Sequence, residues 1–388
     1  MSVSSLDAAC GTEGPAYGRL LGLGWAHFLN DGAANYLPGV LPAVLVSMGL
    51  SVSLAGTLMA ALLIGQGMQP LTGMLCDRFG GRGFIIAGLA GTSLCGALVG
   101  FAPGYWSLLL LLVIIGLSNS MFHPQALVVV RGLAGRQHGS ATSVFLVGGE
   151  VGRGVWPVLA SGVVTLGGLG SLWVLGVPAL FTLALIPLLA PPVPPRRRDA
   201  TPIRWRTHLQ PLSVLVAFSA LRALLLYAIS TFVPLLWHAR GGSLTGGAAF
   251  ITVLMVVGIV GNLGGGRLSD RFGRRRLVVG GMALGALAMV AFMFAQGAWA
   301  WVCMGFTGIF IFATLPLTIL MGQDVVPENR SFGTGVALGL ANALGALGVM
   351  ALGPVAGAWG SQAALWAAIA CGMLAAVIGL RLPRDAHL

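Results

Sequence analysis

Residues 73–82 read GMLCDRFGGR, and residues 266–275 repeat the phrase as GRLSDRFGRR. The two copies place Asp77 and Asp270 193 residues apart, close to half of the 388-residue chain. A repeat at half the chain length indicates two structural units of the same kind. Because each unit is strongly apolar outside short arginine-rich loops, this duplication is typical of a membrane transporter.

The composition excludes a soluble globular protein. Hydrophobic residues make up 57% of the chain, charged residues 8%, and the mean hydropathy is +0.92. Crossing about 30 Å of hydrocarbon takes roughly 20 apolar residues. Twelve such segments follow one another, at residues 20–47, 51–75, 83–102, 105–132, 140–166, 170–190, 209–237, 247–268, 277–296, 298–322, 333–357 and 361–381. We therefore predict an all-α membrane protein with twelve transmembrane helices in two six-helix bundles.

A proline-rich and then arginine-rich stretch, PPVPPRRRDATPIRWRTH, separates the sixth apolar segment from the seventh. Stretches of this composition are typical of linkers. We predict a first bundle at residues 1–190, a cytoplasmic linker at 191–208 and a second bundle at 209–388.

The formal net charge of +11 is explained by membrane topology rather than by nucleic-acid binding. All 21 basic residues are arginine, and all but Arg153, Arg222 and Arg240 fall on one side of the predicted topology. By the positive-inside rule that side is cytoplasmic. We therefore predict a multi-pass protein of the bacterial inner membrane with both termini in the cytoplasm. The first residues lack the pattern of a removable signal peptide.

The two copies of the repeated phrase predict a cytoplasmic gate. Glycine permits close approach of helices, aspartate can cap a helix N-terminus, and arginine binds acidic groups or lipid phosphate. Each loop would then latch its own half to the other half when the cytoplasmic side is closed. Alternatively, the arginines only set the topology. The predicted gate residues are Gly73, Asp77, Arg78, Arg82, Gly266, Asp270, Arg271 and Arg274.

Ionisable side chains inside apolar segments are costly unless they face a cavity or a partner, so each one is a candidate functional residue. Counting residues along the segments places five of them at a similar depth, where they could converge. They are Asp31, His123, Glu150, Arg153 and Arg222.

The first apolar segment carries a polar stripe. His27, Asn30 and Asp31 follow the i, i+3, i+4 spacing that puts side chains on one helix face. We predict that Asp31 carries protons and that His27 and Asn30 contact the substrate. The alternative is a purely structural hydrogen-bonded cluster.

The other charged residues also allow two interpretations. Glu150 and Arg153 are three residues apart and can form a structural pair across one helical turn; otherwise Glu150 carries a proton and Arg153 holds an anionic substrate. Arg222 has no acidic neighbour on its own segment, which predicts an anion site. His123 precedes Pro124, which interrupts the helix, so His123 is a candidate for proton or substrate contact, or else a packing residue.

The repeated phrase resembles the signature loop of the major facilitator superfamily, and its presence in both halves makes that resemblance specific. The segments HFLND at residues 27–31, SMFHPQ at 120–125 and HGSATSVFLVGG at 138–149 resemble the fosmidomycin resistance proteins, a drug-exporting branch of that superfamily. The resemblance implies two rocking bundles around a central cavity and proton-coupled export. Fosmidomycin is a small phosphonate anion, which suits Arg153 and Arg222.

Two departures from that branch fall where the substrate would lie. Glu150 stands where the family pattern has asparagine, and Trp156 precedes Pro157 where the family has a Gly-Pro pair. These changes put fosmidomycin itself in doubt as the substrate, and they add Trp156 to the predicted substrate contacts, as a side chain that would suit a larger or aromatic anion.

We predict a proton-coupled antiporter that exports a small anionic or zwitterionic compound by alternating access. The alternative within transport is a symporter that imports an organic anion with protons. An enzyme is disfavoured because no HExxH, GxSxG or other catalytic spacing occurs. The five cysteines form no CxxC pair, so we expect neither a disulfide nor a metal site. We also expect no cofactor, and a monomer in the lipid bilayer.

Overall fold

The computed structural model describes residues 15–135, 137–195, 205–327 and 330–383, and these residues form helices without strands. The first half contains α1 (Tyr17–Asn35), α2 (Leu37–Ser47), α3 (Ala55–Gln66), α4 (Gln69–Phe79), α5 (Gly83–Leu98), α6 (Tyr105–Leu133), α7 (His138–Gly167) and α8 (Val177–Leu189). Short 3₁₀ turns at Val52–Leu54, Val99–Phe101 and Leu169–Gly176 join some of them.

The second half begins with a longer helix that includes the last residues of the predicted linker. Its helices are α9 (Trp205–Ala239), α10 (Leu244–Phe272), α11 (Arg274–Phe294), α12 (Ala298–Ala313), α13 (Leu315–Val325), α14 (Arg330–Gly335) and α15 (Ala341–Gly379), with a π-helical turn at Val336–Leu340. Residues 196–204 of the predicted linker lie outside the described residues, so the domain boundary stays a prediction.

Nine stretches of the described residues are long and apolar enough to cross a membrane. One of them, Gly333–Gly379, covers two predicted segments, and Gly360 inside it has a non-helical φ of 84°. Outside these nine lie α1 with α2, and α7, which correspond to the predicted segments at 20–47 and 140–166. The helical membrane fold agrees with the sequence, and the count of twelve crossings stays a prediction.

Two prolines shape the helices that carry the polar residues. Pro38 cannot donate to the carbonyl of Ala34, which is where α1 gives way to α2, and Gln66 Nε2 lies 3.3 Å from that carbonyl. Pro124 frees the carbonyl of Ser120 in the same way, and Thr72 Oγ1 donates to it over 2.7 Å. Contrary to the predicted interruption, α6 continues as a helix through Pro124.

Glycine lets α1 and α7 pack backbone against backbone. A Cβ at Gly148 would lie 2.1 Å from the carbonyl oxygen of Gly24, and a Cβ at Gly152 would lie 2.3 Å from that of Phe28. Small residues at helix interfaces are the usual means of close approach inside a bilayer. This contact brings the polar face of α1 directly against the charged residues of α7.

Glycine also brings the two halves together. A Cβ at Gly56 on α3 would lie 2.3 Å from the carbonyl oxygen of Val349 on α15. A Cβ at Gly154 on α7 would lie 2.7 Å from Cγ2 of Val256 on α10. The charged residues of α7 therefore lie beside the interface between the first and second halves.

One contact of each repeated loop joins that loop to its own half. Arg82 donates to the carbonyl of Pro187 over 3.0 Å, and Arg274 forms an ion pair with Asp324. The two copies share one local feature, since Arg78 and Arg271 each lie 5.5 Å from the ring of the phenylalanine that follows. The side chain of Asp270 lies outside the described residues. The predicted latch across the two halves stays a prediction for the state in which the cytoplasmic side is closed.

Candidate functional site

Asp31 is the centre of a buried charge cluster formed by α1, α6 and α7. Its carboxylate is 4% exposed. Oδ1 lies 3.1 Å from His123 Nε2, while Oδ2 lies 3.3 Å from both His27 Nε2 and Arg153 Nε. The structure thus brings together four residues that the sequence singled out separately.

Buried amides hold the carboxylate in place. Asn119 Nδ2 donates to Asp31 Oδ1 over 2.9 Å, and Asn30 Nδ2 lies 3.3 Å from the same oxygen. Thr92 on α5 in turn donates to Asn30 Oδ1 over 3.0 Å. Asn30 is fully buried and orients Asp31, and its substrate contact stays a prediction. Sequence reasoning missed Asn119 and Thr92, although Asn119 lies one helical turn before His123.

The Nδ1 atoms of both histidines lie within hydrogen-bond distance of backbone carbonyl oxygens. His27 Nδ1 lies 2.8 Å from the carbonyl oxygen of Phe145, and His123 Nδ1 lies 2.9 Å from that of Asn119. The two Nε2 atoms are 3.0 Å apart. His27, Asp31 and His123 each offer a ligand atom, all within 4.8 Å of one another, so the spacing itself would admit a cation. The expectation of no metal site stays a prediction.

Glu150 and Arg153 have different partners. Arg153 pairs with Asp31, whereas Glu150 Oε1 accepts a hydrogen bond of 2.5 Å from Asn262 on α10. Both side chains line a small cavity with Met255 and Phe312 of the second half. The i, i+3 spacing allowed a local pair, but the tertiary structure gives Glu150 a partner in the other half.

Arg222 on α9 is the buried cation of the second half. Arg222 is only 2% exposed, and its Nε has no hydrogen-bond partner among the described residues. Tyr227 lies within electrostatic range of both Arg222 and Arg153. Two arginines from different halves therefore lie in the same region of the protein. Sequence reasoning missed Tyr227 because a neutral phenol in an apolar segment carries no charge signal.

Trp156 is 4% exposed and packs between α1 and α7. A Cβ at Gly32 would lie 2.5 Å from its ring, and its centroid is 4.9 Å from that of Phe28. The indole Nε1 is buried without a hydrogen-bond partner in the described part of the chain. Trp156 thus supports the α1–α7 contact, and its predicted contact with substrate stays a prediction.

A multi-pass helical membrane protein with a charged cluster beside the interface of two halves has the architecture of a secondary transporter. The family model for the Major Facilitator Superfamily matches residues 23–349 and 218–387. The chain belongs to this superfamily, and it is a transporter of a small molecule rather than an enzyme. The fold class and the superfamily inferred from the repeated phrase are confirmed.

Three relatives align over most of the chain. The uncharacterized MFS-type transporter YfnC of Bacillus subtilis is 27% identical, covering 96% of this chain and 94% of its own. The fosmidomycin resistance protein of Escherichia coli is 23% identical, covering 88% and 87%. The "Probable nitrate/nitrite antiporter NarK1" of Thermus thermophilus is 30% identical, covering 88% and 85%.

A solved structure shares the fold. The inward-facing, occupied form of a bacterial homolog of the human lysosomal transporter Spinster superposes with a TM-score of 0.78 over 93% of this chain and 95% of that one. Its sequence identity is 18%, so the likeness concerns the fold alone.

Proposed function

We propose that this transporter is a proton-coupled antiporter that exports a small anionic or zwitterionic compound by alternating access, out of the cytoplasm across a bacterial inner membrane. The observation that carries the proposal is Arg222, a buried guanidinium with no acidic partner among the described residues. A buried charge without a counter-charge is costly. An anionic group of the substrate supplies that counter-charge.

Arg153 provides the second part of the substrate site. It comes from the first half, lies with Arg222 within electrostatic range of Tyr227, and lines the same small cavity as Glu150 with its side chain 37% exposed. A substrate held between the two arginines touches both halves at once. A ligand shifts the equilibrium toward a conformation closed around it only if it binds that conformation more tightly. Contacts with both halves provide this difference in affinity.

The names of two relatives support an anion. Fosmidomycin is a phosphonate, and nitrate and nitrite are inorganic anions. We extend this substrate chemistry to the present chain because Arg222 is a buried cation without an acidic partner among the described residues and Arg153 supplies a second, partly exposed cation. Glu150 and Trp156, which depart from the fosmidomycin-resistance pattern, leave the particular anion to be found by experiment.

The charge of the Asp31 cluster explains why proton and substrate would move in opposite directions. When the Asp31 cluster releases its proton to the cytoplasm, the carboxylate is free to bind a cationic group of a zwitterionic substrate whose anionic group lies on Arg222. A proton that enters the Asp31 cluster from outside then offsets the negative charge that holds the cationic group, and the substrate is expelled. Mutually exclusive binding of proton and substrate is the condition for antiport.

The same geometry supports a second function for a purely anionic substrate. A proton taken up by the Asp31 cluster weakens the hold of Asp31 on Arg153, which lies 3.3 Å from it, and leaves Arg153 able to bind the anion. Proton and anion would then bind together, and the protein would be a symporter that imports the anion.

Gradient-driven flux separates the two functions. In proteoliposomes, antiport predicts that fosmidomycin accumulates when the interior is acidic, and symport predicts accumulation when the exterior is acidic, with empty liposomes as the control. No gradient-dependent flux of fosmidomycin or of a panel of aminophosphonates would overturn proton-coupled transport of this substrate class.

A further inference from the structure

The Nε2 atoms of His27 and His123 lie next to each other, and in the neutral side chains neither atom carries a hydrogen to donate. A neutral imidazole carries one N–H. Carbonyl oxygens only accept, so the contacts of the two Nδ1 atoms with Phe145 and Asn119 each require the N–H to be on Nδ1. In the neutral tautomers both Nε2 atoms are therefore lone pairs.

These lone pairs face one another and a carboxylate. The two Nε2 atoms are 3.0 Å apart, and the carboxylate oxygens of Asp31 lie 3.1 and 3.3 Å from them. Three acceptors at hydrogen-bond distance repel each other unless a positive charge lies among them. One added proton turns the contact between the nitrogen atoms into a charge-assisted hydrogen bond.

We propose that His27 and His123 share one proton between their Nε2 atoms, and that this histidine pair is the proton-carrying group of the transporter, with Asp31 as its counter-anion. The proposal rests on the proposed proton coupling and names the atoms at which the proton is held. Asp31 then keeps its negative charge while the proton is bound, and the pair rather than the carboxylate alone gains and loses it.

The surrounding charges favour a proton over a metal ion. Asp31 is the acidic group in contact with the pair, and the Arg153 guanidinium lies 3.3 Å from that carboxylate and within electrostatic range of His123. Asn30 and Asn119 contribute neutral amide donors to the same carboxylate. Asp31 attracts and Arg153 repels any positive charge among the three side chains, and their own charges cancel. One shared proton therefore leaves the cluster with a net charge of +1, whereas a divalent ion on neutral histidines would leave +2, and a larger uncompensated buried charge is more costly.

The two rings differ in their freedom to move. His27 is 1% exposed, stacks on Phe145 with 4.1 Å between ring centroids, and leaves no room for a Cβ at Gly149, which would lie 2.3 Å from the imidazole. The side chain of His123 is 16% exposed and sits beside Pro124. Loss of the proton leaves two facing lone pairs, so His123 moves away and α6 loses a link to α1.

Nuclear magnetic resonance of the full chain, labelled with ¹⁵N-histidine in detergent micelles containing a chelator, tests the shared proton directly. We expect two Nδ1–H groups and a single proton for the two Nε2 atoms of His27 and His123 at pH 7. In His27→Gln and in His123→Gln, the Nε2 signal of the remaining histidine should shift, because its proton is no longer shared with a second imidazole. Replacing the exposed His238 by Gln should leave the signals of the pair unchanged.

Two results would overturn the proposal. One is a wild-type pair with two lone-pair Nε2 atoms at pH 7 in folded protein. The other is a change of both signals on adding one equivalent of ZnCl₂ without chelator, which would make the three side chains metal ligands. The test is independent of transport: a shared proton without gradient-driven flux would refute the proposed coupling, and flux without a shared proton would refute only this inference.

Discussion

Asp31 on α1 and Arg153 on α7 form an ion pair with 3.3 Å between Oδ2 and Nε. Glu150, one helical turn before Arg153, is instead hydrogen-bonded to Asn262 of the second half. Adjacent turns of α7 therefore face different halves of the protein. A change of charge at Asp31 reaches the interface between the halves through this one helix.

Replacing Asp31 by Asn should both destabilise the protein and uncouple it from protons. Asp31 is buried but Arg153 is 37% exposed, so the cost lies between the about 0–1 kcal/mol of an exposed ion pair and the about 3–5 kcal/mol of a buried one, and thermal unfolding should shift downward. The matched control is Asp324→Asn, because Asp324 pairs with Arg274 at a side chain that is 63% exposed, where an ion pair contributes about 0–1 kcal/mol.

Proton-driven flux in proteoliposomes measures how the substitution at Asp31 affects transport. We expect Asp31→Asn to lose accumulation of fosmidomycin under a pH gradient. If Asp31→Asn and Glu150→Gln both keep full proton-driven transport, neither carboxylate is an essential part of the coupling and the proposed mechanism fails.

Replacing Arg222 by Leu should separate stability from binding. Because its buried charge has no acidic partner in the described structure, a shorter apolar side chain removes the cost of an unpaired buried charge, and the unliganded protein should be at least as stable as the wild type. The same change should remove the thermal stabilisation by fosmidomycin, since a hydrogen bond to a charged group contributes about 1.5–3 kcal/mol, or at least tenfold in affinity. Arg240→Leu, at an exposed arginine, is the control. A less stable Arg222→Leu protein that still binds would contradict the assignment.

Glu150→Gln should impair transport less than Glu150→Ala. The amide oxygen of glutamine can still accept the hydrogen bond from Asn262, whereas alanine leaves that partly buried amide without this partner and opens the contact between α7 and α10. Initial rates of fosmidomycin exchange at equal pH on both sides measure this effect without a proton gradient. Equal rates for the two variants would show that the hydrogen bond across the halves has no part in transport.

The α1–α7 contact can be tested by adding one methyl group. Gly152→Ala places a Cβ 2.3 Å from the carbonyl oxygen of Phe28, and overpacking of this kind costs about 1–3 kcal/mol. Gly162→Ala on the same helix meets no atom within 4 Å and should be neutral or slightly stabilising. A Gly152→Ala protein as stable as Gly162→Ala would mean that the two helices separate easily, contrary to their packing.

The predicted cytoplasmic gate can be tested with a variant that does not disturb the packing of the described structure. A Cβ at Gly266 meets no atom within 4 Å, so Gly266→Ala should leave thermal stability unchanged. If the second copy of the repeated loop approaches the other half when the cytoplasmic side closes, the same variant should slow exchange severalfold. Unchanged exchange would leave the arginines with a topological role only.

The polar face of α1 could be predicted because it depends only on local geometry. His27, Asn30 and Asp31 share a face through the 3.6-residue period of the helix. Their convergence with His123 and Arg153 followed from similar depth in the membrane. Which charges pair could not be predicted, because Glu150 and Arg153 also have the i, i+3 spacing of a local pair.

The repeated phrase, the apolar segments and the arginine distribution determined by themselves that this chain is a duplicated helical transporter, because those features act through the bilayer and through local helix geometry. Only the tertiary structure decided that Asp31 takes Arg153, that Glu150 takes Asn262, and that Arg222 keeps an Nε without a partner among the described residues. Glycine-to-backbone contacts set the distance between α1 and α7, and that distance selects which charges meet. Partners on different helices depend on how those helices pack, which no spacing along one helix records.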